Sequence, residues 1–157
     1  MKTAPMFSQL LAYCLMALLC GPSLVEAQSP STPYLLDRLE QKILESVEKD
    51  HKIMRVEVGI LQTDSTAHVL RMLHPNTTYE IQAFAQPAEF GDINVRLYRL
   101  RQEEDKLLEM QDIANSPEGH LKFQPTTEGL YEIEVFGRDY PRDRGYGMFA
   151  LIITAIN

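Results

Sequence analysis

From Ile53 to Ile156 apolar and polar residues alternate with a period of two, and clusters of turn-forming residues interrupt the alternation at regular intervals. Successive side chains of a strand leave on opposite sides, so this pattern predicts half-buried strands. The clearest case is Gly129 to Gly137, where Tyr131, Ile133 and Val135 point one way and Glu132 and Glu134 the other. Ile93, Val95 and Leu97 alternate in the same manner with Asn94, Arg96 and Tyr98, as do Met54, Val56, Val58 and Ile60 with Arg55, Glu57 and Gly59. Further strands are expected over Ala67 to Leu73, Tyr79 to Gln86, Leu107 to Met110, around Leu121 and Phe123, and over Gly147 to Ile156. The last is apolar enough to be central in a sheet. Leu107 to Met110, flanked by Glu103, Glu104, Lys106 and Glu109, would suit a helix equally well. About eight short strands separated by turns predict an all-β fold, an antiparallel sandwich or jelly roll.

Before Ile53 the period is helical. Leu35, Leu36, Leu39, Ile43 and Val47 recur at helical spacing, with Asp37, Arg38, Glu40, Lys42, Glu45 and Glu48 opposite. Thr32 is a suitable cap and Pro33 a suitable first residue. The expected organisation is a signal peptide over 1–27, a linker over 28–33, an amphipathic helix over 34–50 and a β-sandwich domain over 53–157. The signal peptide is read from Lys2, the apolar run Leu10 to Leu19, which is too short to span a bilayer, the break at Gly21-Pro22, and the small residues before a cut after Ala27.

Composition narrows the function. Both cysteines, Cys14 and Cys20, lie in the expected leader, so the mature domain is expected to fold without disulfides. Of 15 basic and 22 acidic residues only Lys2 and Glu26 leave with the leader, which keeps the net charge at −7. An acidic domain without a basic stripe argues against nucleic acid and anionic membrane surfaces.

Candidate chemistry is sparse. His51, His68, His74 and His120 are scattered without ligand spacing, so no metal and no cofactor is expected. No nucleophile elbow or zinc-protease helix occurs, and the chain is expected not to be an enzyme. The strongest candidate contact is the polar loop Arg138 to Gly145, which gathers three arginines in an acidic chain. Tyr140, Arg142 and Tyr146 are the candidate ligand-binding residues, because Arg offers a forked donor set and Tyr a stacking face with a hydroxyl. Gly137, Gly145 and Gly147 are expected to let this loop bend. Calcium at Asp139 and Asp143 would need further oxygens and would meet Arg138, Arg142 and Arg144. Asn76-Thr77-Thr78 is a glycosylation sequon in a turn.

Thr78-Tyr79-Glu80-Ile81-Gln82-Ala83, the run Gly91 to Tyr98, the run Phe123 to Val135, and Gly145-Tyr146-Gly147 continuing through Leu151-Ile152-Ile153 together form a pattern. It resembles the bacterial pre-peptidase C-terminal domain. The resemblance implies a jelly-roll β-sandwich, exported and non-catalytic, of a kind that usually trails a secreted peptidase. No catalytic domain is expected in front, and the expected role is then a free-standing binding or accessory module for a protein or polysaccharide in the secreted or periplasmic space. The alternative is a structural or assembly subunit that docks through Leu35, Leu39, Ile43 and Val47 of its helix.

Overall fold

The computed structural model describes residues 31–101, 105–138 and 145–156. Helix α1 (Ser31–Glu48) is followed by eight strands: β1 (Lys52–Gln62), β2 (Thr66–Leu73), β3 (Thr78–Ala85), β4 (Asp92–Leu100), β5 (Lys106–Gln111), β6 (Glu118–Phe123), β7 (Gly129–Arg138) and β8 (Tyr146–Ile156). They form two antiparallel sheets of four, ordered β1-β8-β3-β6 and β2-β7-β4-β5. Among the described strands only β4 and β5 are neighbours both in sequence and in a sheet; each other strand lies in the sheet opposite to that of the strand before it. This is the jelly-roll arrangement. The ambiguous segment around Leu107 is a strand, at the edge of the second sheet.

The inward rows of the two sheets form the core. Val95 lies opposite Val135, and Leu97 opposite Ile133, in the second sheet. Ile81 lies opposite Ile153, and Ala83 opposite Leu151, in the first. All are buried, with the rings of Tyr79, Phe90, Tyr131 and Phe149. Two glycines make room for rings. A Cβ at Gly59 would come within 2.7 Å of Phe149, and one at Gly147 would overlap Phe90. Among the described residues no glycine has a positive φ. Gly147 therefore serves close packing within β8, and the expectation that it bends a loop is corrected.

The helix begins three residues earlier than its apolar spacing predicts and takes in residues assigned to the linker, with Pro33 in its first turn, where a missing N–H costs nothing. It ends in a left-handed cap. Asp50 has φ 55°, its N–H donates to the Val47 carbonyl (3.1 Å), and the His51 N–H donates to that of Ser46 (2.9 Å). Leu35, 1% exposed, and Leu39 pack on Phe84, Ala150 and Ile152, which face away from the core on β3 and β8. Arg38 on one flank donates from Nε to Glu118 Oε1 (2.9 Å) and so ties the helix to β6. The helix thus covers its own sheet, and only Val47 of the four proposed docking residues stays largely exposed, at 63%. The outer row of β1, with Val56, Val58 and Ile60, lies beyond the helix and remains open.

Candidate functional site

Among the described residues no helix covers the outer face of the second sheet. Its rows follow from register: Asn94 beside Phe136, Arg96 beside Glu134, and Tyr98 beside Glu132 across β4 and β7, with His68 beside Glu134 across β2 and β7. Two polar groupings result.

The first lies at mid-sheet. Lys106 forms ion pairs with Glu132 and, at 3.3 Å, with Glu134, and His68 Nδ1 lies 2.8 Å from Glu132 Oε1. Burial alone would push the Glu132 carboxyl up; the hydrogen bonds from Lys106 and His68 outweigh it and hold the carboxyl below its ordinary value. Glu132 in turn holds the Lys106 ammonium above its own. The atoms of His68, Glu132 and Glu134 lie within 4.8 Å of one another, near enough for a shared metal, but Lys106 already supplies the cation there. The other histidines also face glutamates: His51 and His120 face Glu80, and His74 faces Glu128.

The second grouping is a cavity of about 470 Å³ where β4, β5 and β7 meet the β5–β6 connection. Backbone hydrogen bonds hold that connection against β4: Ile93 N–H to the Ser116 carbonyl (2.8 Å) and Asp112 N–H to the Val95 carbonyl (2.9 Å). The Phe136 ring lies inside it. The Arg96 guanidinium sits 4.2 Å from the ring centroid and that of Arg138 5.5 Å, both within cation–π range. The acids of the cavity are engaged by backbone donors. Asp92 Oδ1 accepts from Ser116 N–H (3.4 Å); Asp112 Oδ1 accepts from Ala114 N–H (3.0 Å) and its Oδ2 from His120 N–H (3.1 Å). The donors differ. Among the described residues no carboxylate forms an ion pair with Arg96 or Arg138, and the buried Asn94 Nδ2 has no acceptor.

Of the sequence candidates, Tyr140 and Arg142 lie outside the described residues, as do Asp139 and Asp143, the carboxylates considered for calcium. Tyr146 is exposed at the start of β8, opposite Gln62. The connection that holds the first two runs from Arg138, at the cavity, to Gly145, whose carbonyl accepts from Thr63 N–H (2.8 Å). Its ends belong to different sheets, so it is not a hairpin. Sequence reasoning named Asn94 and Arg96 only as the polar half of an alternation. The available signal was their spacing, two residues apart on one strand face, in a chain with few basic residues.

No family model matches the chain, and no curated protein matches it. Solved structures do. A periplasmic inhibitor of g-type lysozyme from Aeromonas hydrophila is similar at a TM-score of 0.51, with 12% identity, over 65% of this chain and 85% of that one. The pre-peptidase C-terminal domain of collagenase from Bacillus anthracis is similar at 0.48 and 16%, over 63% and 87%. A mitogen derived from Yersinia pseudotuberculosis follows at 0.47 and 14%, over 66% and 86%. At these identities the likeness is one of fold. The motifs that resemble the pre-peptidase C-terminal domain lie on β3, β4, β6, β7 and β8 of the sandwich. Among the described residues no helix is long and apolar enough to cross a membrane.

Proposed function

We propose that this chain is a non-catalytic binding module acting outside the cytoplasm, in the secreted or periplasmic space, on a protein or polysaccharide ligand, and that it presents its contact surface at the loop end of the sandwich. The observation that carries this reading is the cavity between β4, β5 and β7. There the sheet displays arginines and an aromatic ring at the end of β7. Loops and pockets at the end of a stiff sandwich are common places for recognition, because the scaffold holds them without taking part. The Aeromonas protein described as a lysozyme inhibitor is a precedent for this fold serving recognition of another protein. Tyr140, Arg142 and Tyr146 are the proposed contributors from the connection and the start of β8. The alternative, assembly through the helix, is weakened because Leu35 and Leu39 are spent on the chain's own sheet.

The test is retention of the purified protein on washed cell-envelope material. The double variant Tyr140→Ala, Arg142→Ala should keep the melting temperature and lose retention. A double variant that is retained as well as the wild type would move the contact away from this end.

A further inference from the structure

Among the described residues the cavity holds donors without an acceptor, while both of its carboxylates accept from backbone N–H groups. Arg96 and Arg138 bring two guanidinium forks to one ring without a paired carboxylate, and Asn94, 3% exposed, holds an amide N–H₂ without an acceptor. Asp92 and Asp112, the cavity's own acids, are bound to backbone N–H groups. A buried donor without an acceptor is costly, and a guanidinium fork matches the two oxygens of a carboxylate. We infer that this cavity is an anion pocket for a carboxylate side chain, Asp or Glu, of a protein partner, held between Arg96 and Arg138 with Asn94 as the third donor. The inference rests on the binding-module reading and specifies its ligand.

Two observations favour a polypeptide over an acidic sugar. The Phe136 ring, the aromatic group of the cavity, is already engaged by two guanidinium groups, which leaves it poorly placed to stack on a pyranose. Ile113, 84% exposed, lines the cavity as an apolar contact beside the charged groups, an arrangement that fits an acidic residue with an apolar neighbour. The whole chain carries −7, so the attraction is local and falls as salt rises.

The probe is a capped tetraglutamate peptide, titrated into the purified protein at low ionic strength and followed through the arginine Nε–H signals by NMR. The expected result is saturable movement of the Arg96 and Arg138 signals, weakened tenfold or more in Arg96→Gln and separately in Arg138→Gln, and absent with capped tetraglutamine. Unchanged backbone spectra outside the cavity show that each variant is folded; should one fail to fold, the other carries the test. Stationary arginine signals, equal response to tetraglutamine, or binding indifferent to both substitutions would overturn the pocket. Tighter binding of tetragalacturonate than of tetraglutamate would overturn the protein assignment in favour of an acidic polysaccharide. If tetraglutamate fails while envelope retention still depends on Tyr140 and Arg142, the binding-module reading stands and only the pocket chemistry is wrong.

Discussion

On the outer side of the first sheet Phe84, Ala150 and Ile152 lie beneath Leu35 and Leu39 of α1; on the outer side of the second, corresponding positions carry His68, Arg96, Glu132 and Glu134. The sheets have the same strand number and share one core, so the difference comes from what covers each outer face. Where the helix lies, β8 is apolar on both sides and reads in sequence as an apolar run from Met148 to Ile153. On β7, whose outer face no described element covers, the outward acids Glu132 and Glu134 find partners in Lys106 and His68. The covered face is held by excluded water, which is insensitive to pH, and the bare face by paired charges, which are not.

The comparison is broken most severely at Phe84, whose ring is 1% exposed between the first sheet and α1. Phe84→Ala should cost about 3–5 kcal/mol in denaturant titration, as for a ring removed from a packed interior. A loss under about 1 kcal/mol would mean that the helix does not cover that face. Next comes Glu132. Glu132→Gln should cost about 1 kcal/mol near neutral pH, since it removes a charge-assisted acceptor from Lys106. Because the folded carboxyl sits below its ordinary value, its contribution is fully present above the unfolded value of 4.5 and is lost as pH falls through the folded one. Acidification from about pH 5 to pH 3 should therefore destabilise the wild type more than Glu132→Gln. Parallel pH profiles for the two proteins would remove the acid from the network. The smallest effect belongs to Leu70, an apolar residue on the bare face that is 54% exposed. Leu70→Ser should stay within about 0.5 kcal/mol, and a larger loss would show that something does cover the second sheet.

Strand periodicity carried most of the fold. The row Tyr131, Ile133, Val135 is buried as its alternation demands, and the turn clusters fall between strands. The outer row of β1 was harder to read. Val56, Val58 and Ile60 alternate as core residues would, yet they align with the outer row of β8, because Ile60 lies opposite Met148 and Val58 opposite Ala150. Alternation reveals that a strand has two sides, not which side faces inward, and an edge strand beside a helix leaves the choice open. The helix starts at Ser31 and not at 34, where its apolar spacing begins, because polar residues and a proline are tolerated in a first turn. The cavity could not be found by spacing. Asn94, Arg96, Asp112 and Phe136 come from two strands and a connection, and only the pairing of β4 with both β5 and β7 brings them together.

The pairing of β1 with β8 has a consequence in time. Lys52 lies opposite Ala155, so the first and last strands of the domain are neighbours, and β8 also separates β1 from β3. Contacts between such distant parts of a chain form slowly, since a large loop must close before they return any stabilisation, and folding times on the order of milliseconds to seconds are expected of such topologies. A chain threaded with its N-terminus first through a pore or exit tunnel would hold β1 and β3 without their common neighbour until β8 emerged, so this sandwich closes last at the strand on which its first sheet is centred.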